Sequence, residues 1–136
     1  MEYKFPEPIT KTLVPIVTGS NLVAIKFKDG VIACTDTLAS YGTNAKFKSF
    51  SKSAALNKHT AIVTRGDLSD YQEELKLLLN KARDDFAFEN CSRSPKEFAT
   101  YLSRHQYHYR MKGDPWLTNS MIIGYKEAPY LGIAIT

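Results

Sequence analysis

Thr18-Gly19-Ser20-Asn21-Leu22-Val23-Ala24-Ile25-Lys26-Phe27-Lys28-Asp29-Gly30-Val31-Ile32-Ala33-Cys34-Thr35-Asp36 is the stretch that decides the fold. Val23, Ile25 and Phe27 alternate with Leu22, Ala24 and Lys26. Both sets are mostly apolar, so the segment reads as a strand sandwiched between layers rather than one with a wet face. Asp29-Gly30 is expected to supply the positive-φ residues of a tight hairpin turn. Residues 31–35 then return as a second buried strand, and Asp36 places a carboxylate where that strand leaves the core.

Upstream of this stretch, Pro6, Pro8 and Pro15 fall among residues with little periodicity. Proline lacks a backbone donor, so this reads as an extended arm or a removable leader. Downstream, residues 39–52 are polar and basic, with Tyr41, Phe47 and Phe50 interspersed. Residues 46–52 alternate basic or polar with aromatic side chains, as single-strand nucleic-acid binders do; the same alternation describes a half-buried strand, which is the reading adopted. Strand-like pieces follow at residues 54–56 and 60–64, and Gly66 ends that sheet segment.

Residues 69–88 carry helical periodicity. Ser69 and Gln72 have capping-box spacing, and Tyr71, Leu75, Leu78, Leu79, Ala82 and Phe86 form one apolar stripe. Ser94-Pro95-Lys96-Glu97 opens a second helix, with proline in the first turn and glutamate completing a box. Phe98, Tyr101, Leu102, His105 and Tyr109 share its buried face, and residues 111–115 break it. Two more strands are expected near residues 120–125 and 130–135. Strands, two helices and strands again make an α+β fold, an antiparallel sheet covered on one face by a helix pair. Thr136 follows the last strand directly, so this is expected to be only the first part of a larger layered fold.

The net charge of +4 raises the question of nucleic acid or anionic membranes. The basic residues, however, are scattered from Lys4 to Lys126 among acids such as Asp84 and Asp85, and no run of five like charges occurs. Neither partner is expected. Cys34 and Cys91 form no CxxC motif and make a poor disulfide framework, which suits a reducing compartment. Met1-Glu2-Tyr3-Lys4 lacks the pattern of a signal peptide, and no apolar stretch approaches the roughly 20 residues that span a bilayer. The expected location is cytoplasm and nucleus. His105 and His108 are three apart on the second helix, but no cysteine, aspartate or glutamate pair with matching spacing accompanies them. They read as packed helix residues, and no metal or cofactor is expected.

An N-terminal-nucleophile hydrolase uses the side-chain oxygen of its first mature residue, with the free α-amino group as base. Its site needs a cleavage junction, an aspartate and a lysine that polarise the hydroxyl, and backbone amides for the oxyanion. The same order appears here: Gly19-Ser20 at the junction, Asp36 after the second strand, Lys52 after the basic loop, and Gly66 at the glycine turn before the first helix.

That series resembles the beta subunits of the 20S proteasome core particle, and within the ring it is most similar to the inactive seventh beta subunit. Pro15-Ile16-Val17-Thr18-Gly19-Ser20, Ser40-Tyr41-Gly42, Gly66-Asp67-Leu68-Ser69-Asp70 and Asp114-Pro115-Trp116-Leu117 carry the resemblance. It implies an N-terminal-nucleophile hydrolase αββα sandwich, first part only. Residues 1–11 would be a leader or propeptide, cut between Lys11 and Thr12. Residues 12–136 would be the beta-type domain with its C-terminal part absent. Implied partners are the other beta subunits of a seven-membered ring, alpha-ring subunits and the opposite beta ring. The implied role is a non-catalytic one, completing the ring around the chamber of ubiquitin-dependent protein degradation. Ser20 stands in place of the catalytic threonine, and Leu38 stands where active members carry a polar or basic residue. Ser20, Asp36, Lys52 and Gly66 are then vestigial positions, and none is expected to be catalytic. The alternative is an active N-terminal hydrolase that uses Ser20.

Overall fold

A computed structural model describes residues 17–19 and 21–135. The expectations placed on Lys11, Thr12 and Ser20 therefore lie outside the described residues. The elements run β1 (Val17–Gly19), β2 (Leu22–Phe27), β3 (Gly30–Thr35), β4 (Ala39–Tyr41), β5 (Asn44–Phe47), β6 (Ser53–Ala55), β7 (Thr60–Asp67), α1 (Leu68–Glu89), α2 (Pro95–Met111), β8 (Thr118–Tyr125) and β9 (Pro129–Ile135).

One antiparallel sheet has the order β5-β4-β1-β7-β8-β9, with β6 also pairing β7. Ile62 of β7, Ile122 of β8 and Ala134 of the edge strand β9 point into a core with Tyr71 and Leu78 of α1 and with Phe98 and Leu102 of α2. This is the expected helix pair on one face of a sheet. The hairpin β2–β3 forms a separate two-stranded sheet and lies against β7, β8 and β9. The layers are therefore helices, sheet and hairpin sheet, an α+β arrangement matching the first three layers of the αββα sandwich.

Local chemistry explains most element ends. The capping box at α2 is complete: the Glu97 amide donates to Ser94 Oγ, and the Ser94 amide donates to Glu97 Oε2 at 2.6 Å. α1 departs from expectation, because its N-cap is Asp67, whose carboxylate accepts from the Ser69 and Asp70 amides. A carboxylate on the residue before the helix reaches those orphan donors directly, so the Ser69–Gln72 box is not the cap.

Three further expectations are corrected. The hairpin is not enclosed on both sides: Val23, Ile25 and Ile32 are 60, 63 and 60% exposed, while Leu22, Ala24, Val31 and Ala33 turn towards the sheet. It is the outermost layer of the described chain, so its second face meets solvent. Its loop is Lys28-Asp29, and neither Asp29 nor Gly30 has positive φ. Gly30 instead leaves room for the Phe27 ring, which a Cβ there would meet at 3.1 Å. The basic-aromatic stretch is not one half-buried strand either. β5 stops at Phe47 and is exposed along its length, whereas Phe50 packs on the core and Lys52 is buried outside any strand.

Candidate functional site

Lys52 is 1% exposed, an unusual position for a residue that carries a long charged tail. Two contacts hold it there. Its carbonyl accepts from the Thr64 amide of β7 at 2.9 Å, which ties the backbone to the sheet. Its Nζ donates to Asp36 Oδ1 at 2.6 Å, which compensates the charge. Asp36 sits just past the end of β3, as its place in the sequence suggested. The same Oδ1 accepts from the Asn21 amide at 3.2 Å. The hydrogen bond from Lys52 holds the Asp36 carboxyl below the usual carboxylate range, and the Asn21 amide adds to that effect against a counteracting loss of solvation.

The tail of Lys52 passes directly over Gly19. A Cβ on Gly19 would collide with Lys52 Cδ at 2.8 Å and Nζ at 2.6 Å, and with Cε more closely still. Gly19 faces Gly66 in the β1–β7 ladder. Gly66 has φ +111°, and a Cβ there would run into the Leu117 carbonyl. Gly66 is therefore required by close approach to backbone and by its backbone conformation, whereas a side chain at Gly19 would push the Lys52 tail aside. Asp36, Lys52 and Gly66, three positions separated by up to 30 residues, are thus gathered around the Gly19–Asn21 step. An ammonium and a carboxylate beside that step form a site able to orient and polarise a hydroxyl.

The other quoted motifs meet one another. The Asp67 amide donates to the Leu117 carbonyl at 2.9 Å, and the Leu117 amide donates to Asp70 Oδ2 at 2.8 Å. Gly66-Asp67-Leu68-Ser69-Asp70 and Asp114-Pro115-Trp116-Leu117 are therefore two halves of one junction between β7, α1 and β8. Trp116 anchors it by stacking on Tyr109, with centroids 4.7 Å apart and planes at 24°.

A second buried polar centre was not foreseen. Glu74 of α1 is fully buried; Gln106 Nε2 donates to its Oε1 at 3.1 Å and Ser120 Oγ to its Oε2 at 2.9 Å. Ser120 Oγ lies 2.8 Å from Thr64 Oγ1. Burial pushes the Glu74 carboxyl up to about 7, and these donors only partly offset it. The signal was in the sequence: Glu74 follows Tyr71 by three and precedes Leu78 by four, so it lies on the apolar stripe. Phe86, assigned to that stripe, is instead 69% exposed, and Asp85 takes the buried position. Asp85 is held well below its ordinary range, at about 2, by a bidentate hydrogen bond from Arg93 at 2.5 and 2.8 Å and by Lys81.

The His105 ring lies tilted against Tyr101 at 46°, with centroids 4.4 Å apart, and its Nδ1 lies 3.2 Å from the Tyr101 carbonyl. Among the described residues no group of three or more His, Cys, Asp or Glu is placed to hold a metal ion, and no helix is long and apolar enough to cross a membrane.

A family model for the proteasome subunit matches residues 16–133. The chain is 38% identical over 119 residues to proteasome subunit beta type-4 of Arabidopsis thaliana, covering 87% of this chain and 48% of that one. It is 35% identical over 129 residues to proteasome subunit beta type-4 of Xenopus laevis, covering 92% and 52%. Against the probable proteasome subunit beta type-7 of Schizosaccharomyces pombe it is 34% identical over 131 residues, covering 93% and 50%. The chain spans about half the length of these curated relatives. Matched over most of its own length by the family model and by these relatives, the chain belongs to the proteasome subunit family, among its beta subunits.

Proposed function

We propose that the chain is a non-catalytic structural subunit of the 20S core particle, completing a seven-membered beta ring around the chamber of ubiquitin-dependent degradation. The observation that carries this reading is β1. Val17 and Thr18 pair with Tyr41 and Ser40 of β4, and Thr18 and Gly19 pair with Asp67 and Gly66 of β7. The residues before the ancestral junction are thus built into the sheet between two strands. While they remain joined, the nitrogen of residue 20 is an amide, and the base an N-terminal nucleophile needs does not exist. The Asp36–Lys52 pair then serves as a structural strut beneath β1. Alpha-ring subunits and the opposite beta ring are the further partners in this reading, with residues 1–11 a leader removed between Lys11 and Thr12, and cytoplasm and nucleus the sites of action.

One observation favours the alternative, an active hydrolase that uses Ser20: the ammonium and carboxylate still lie together beside Gly19. Intact-mass analysis of the chain from the assembled particle separates the two readings. A chain beginning upstream of Ser20, unlabelled by an epoxyketone probe, is expected. A chain beginning at Ser20 and carrying the probe, with one peptidase activity lost on Ser20→Ala, would mean that the subunit is catalytic.

A further inference from the structure

The geometry points to a docking pocket for an acidic, apolar-anchored segment of a partner protein at the α1–α2 end of the molecule. A cavity of about 510 Å³ opens between the loop that follows β6 and the last turns of α1. Leu56, Leu79, Ala82 and Phe86 supply its apolar surface, and Lys58 and Arg83 stand in its lining with them. His59 and Arg93 also line it, and among the described residues no carboxylate does. Lys58 and Arg83 are exposed and make no ion pair among the described residues.

The walls are fixed independently of any occupant. Asn57 Nδ2 donates to the Arg93 carbonyl at 2.9 Å, tying the β6–β7 loop to the α1–α2 connection. Arg93 and Lys81 both hold Asp85, which locks that connection onto α1. The cavity is therefore preformed, and a ligand would not have to order it. Phe86 lies on the helix row that the sequence pattern marks for burial, yet it is 69% exposed at the pocket. An exposed aromatic beside an apolar cavity is what a buried anchor side chain would cover.

Charge selects the partner. Lys58 and Arg83 have no counter-ions among the described residues, so a segment that presents an apolar side chain flanked by carboxylates satisfies both the cavity and its cations. A basic segment would meet repulsion at the same place. This inference does not depend on the catalytic status of Ser20 or on the ring reading.

The test titrates the full chain with a fluorescein-labelled peptide in which one phenylalanine is flanked by glutamates, against a control with lysines in place of the glutamates. Saturable anisotropy with the acidic peptide alone is expected, weakening as salt rises. Arg83→Glu, a change at an exposed residue, should weaken binding at least tenfold. Ala82→Trp, which fills the floor, should abolish it while the thermal transition stays cooperative. No binding of the acidic peptide, equal binding of both peptides, or unchanged binding by Arg83→Glu would overturn the proposal.

Discussion

Lys52 and Glu74 are both enclosed ionisable side chains in one small domain, and they are stabilised in opposite ways. Lys52, beside the β1–β2 junction, is given a counter-charge at 2.6 Å. Glu74, between the helices and the sheet, is given only neutral donors, Gln106 and Ser120. Neutral donors solvate a carboxylate incompletely, so desolvation wins and Glu74 titrates near 7, whereas the ion pair holds Asp36 below its ordinary range. The first centre is robust around neutral pH, and the second weakens there. Burial alone therefore says little about a charge, because the partner decides its state.

The largest effect should come from breaking the pair. Asp36→Asn leaves the Lys52 ammonium buried without a counter-charge, and a loss of roughly 3–5 kcal/mol is expected in denaturant unfolding. The double variant Asp36→Asn with Lys52→Met should recover most of it, since the enclosed charge is then gone. A double variant as unstable as the single would mean that Lys52 contributes through shape and not through its charge.

Glu74 supplies the next effect, and its sign is fixed by linkage. Its carboxyl is raised from 4.5 to about 7 in the folded chain. Stability from this group is fully present below 4.5 and is lost as pH rises through about 7. The loss approaches about 3 kcal/mol at pH 8. Glu74→Gln, which keeps the shape and discards the charge, should therefore be more stable than the parent at pH 8 by about 2 kcal/mol, and nearly equal to it at pH 5. Melting temperatures measured from pH 5 to 8 check this, and parallel profiles for the two proteins would refute it.

Ser120→Ala sharpens the same contrast with a smaller change. It removes one donor to Glu74 and the partner of Thr64 Oγ1, and should cost about 1 kcal/mol. It should also steepen the fall in stability between pH 6 and 8, because one of the bonds that favours ionised Glu74 is lost. Hydrogen bonding alone would lower the curve without changing its slope.

Local rules made much of the architecture legible. The Ser94–Glu97 box, the apolar run of α2 and the two last strands each involve neighbours in sequence, and each appears in the structure with little shift. Asp36, Lys52 and Gly66 were marked by their order along the chain against the layout of an N-terminal-nucleophile site, while nothing local ties residue 36 to residue 52. The structure joins them by a hydrogen bond and a shared contact with β1. Glu74 and Asp85 were passed over because a carboxylate within a helical stripe reads as solvent-facing. Their burial depends on Gln106, Ser120 and Arg93, residues from other segments that supply the donors.

The sequence by itself determined the order of strands and helices, the hairpin β2–β3, the α2 cap and the family, because these rest on short-range periodicity and on motifs read in line. Tertiary structure alone decided which hairpin face stays wet, why Gly66 must be glycine, why the Lys52 tail fits over Gly19, and how Gly66-Asp67-Leu68-Ser69-Asp70 closes on Leu117. Those outcomes depend on what each backbone and side chain meets across the fold. A ligand for a buried charge, or a clash at a missing Cβ, exists only once distant segments are packed together.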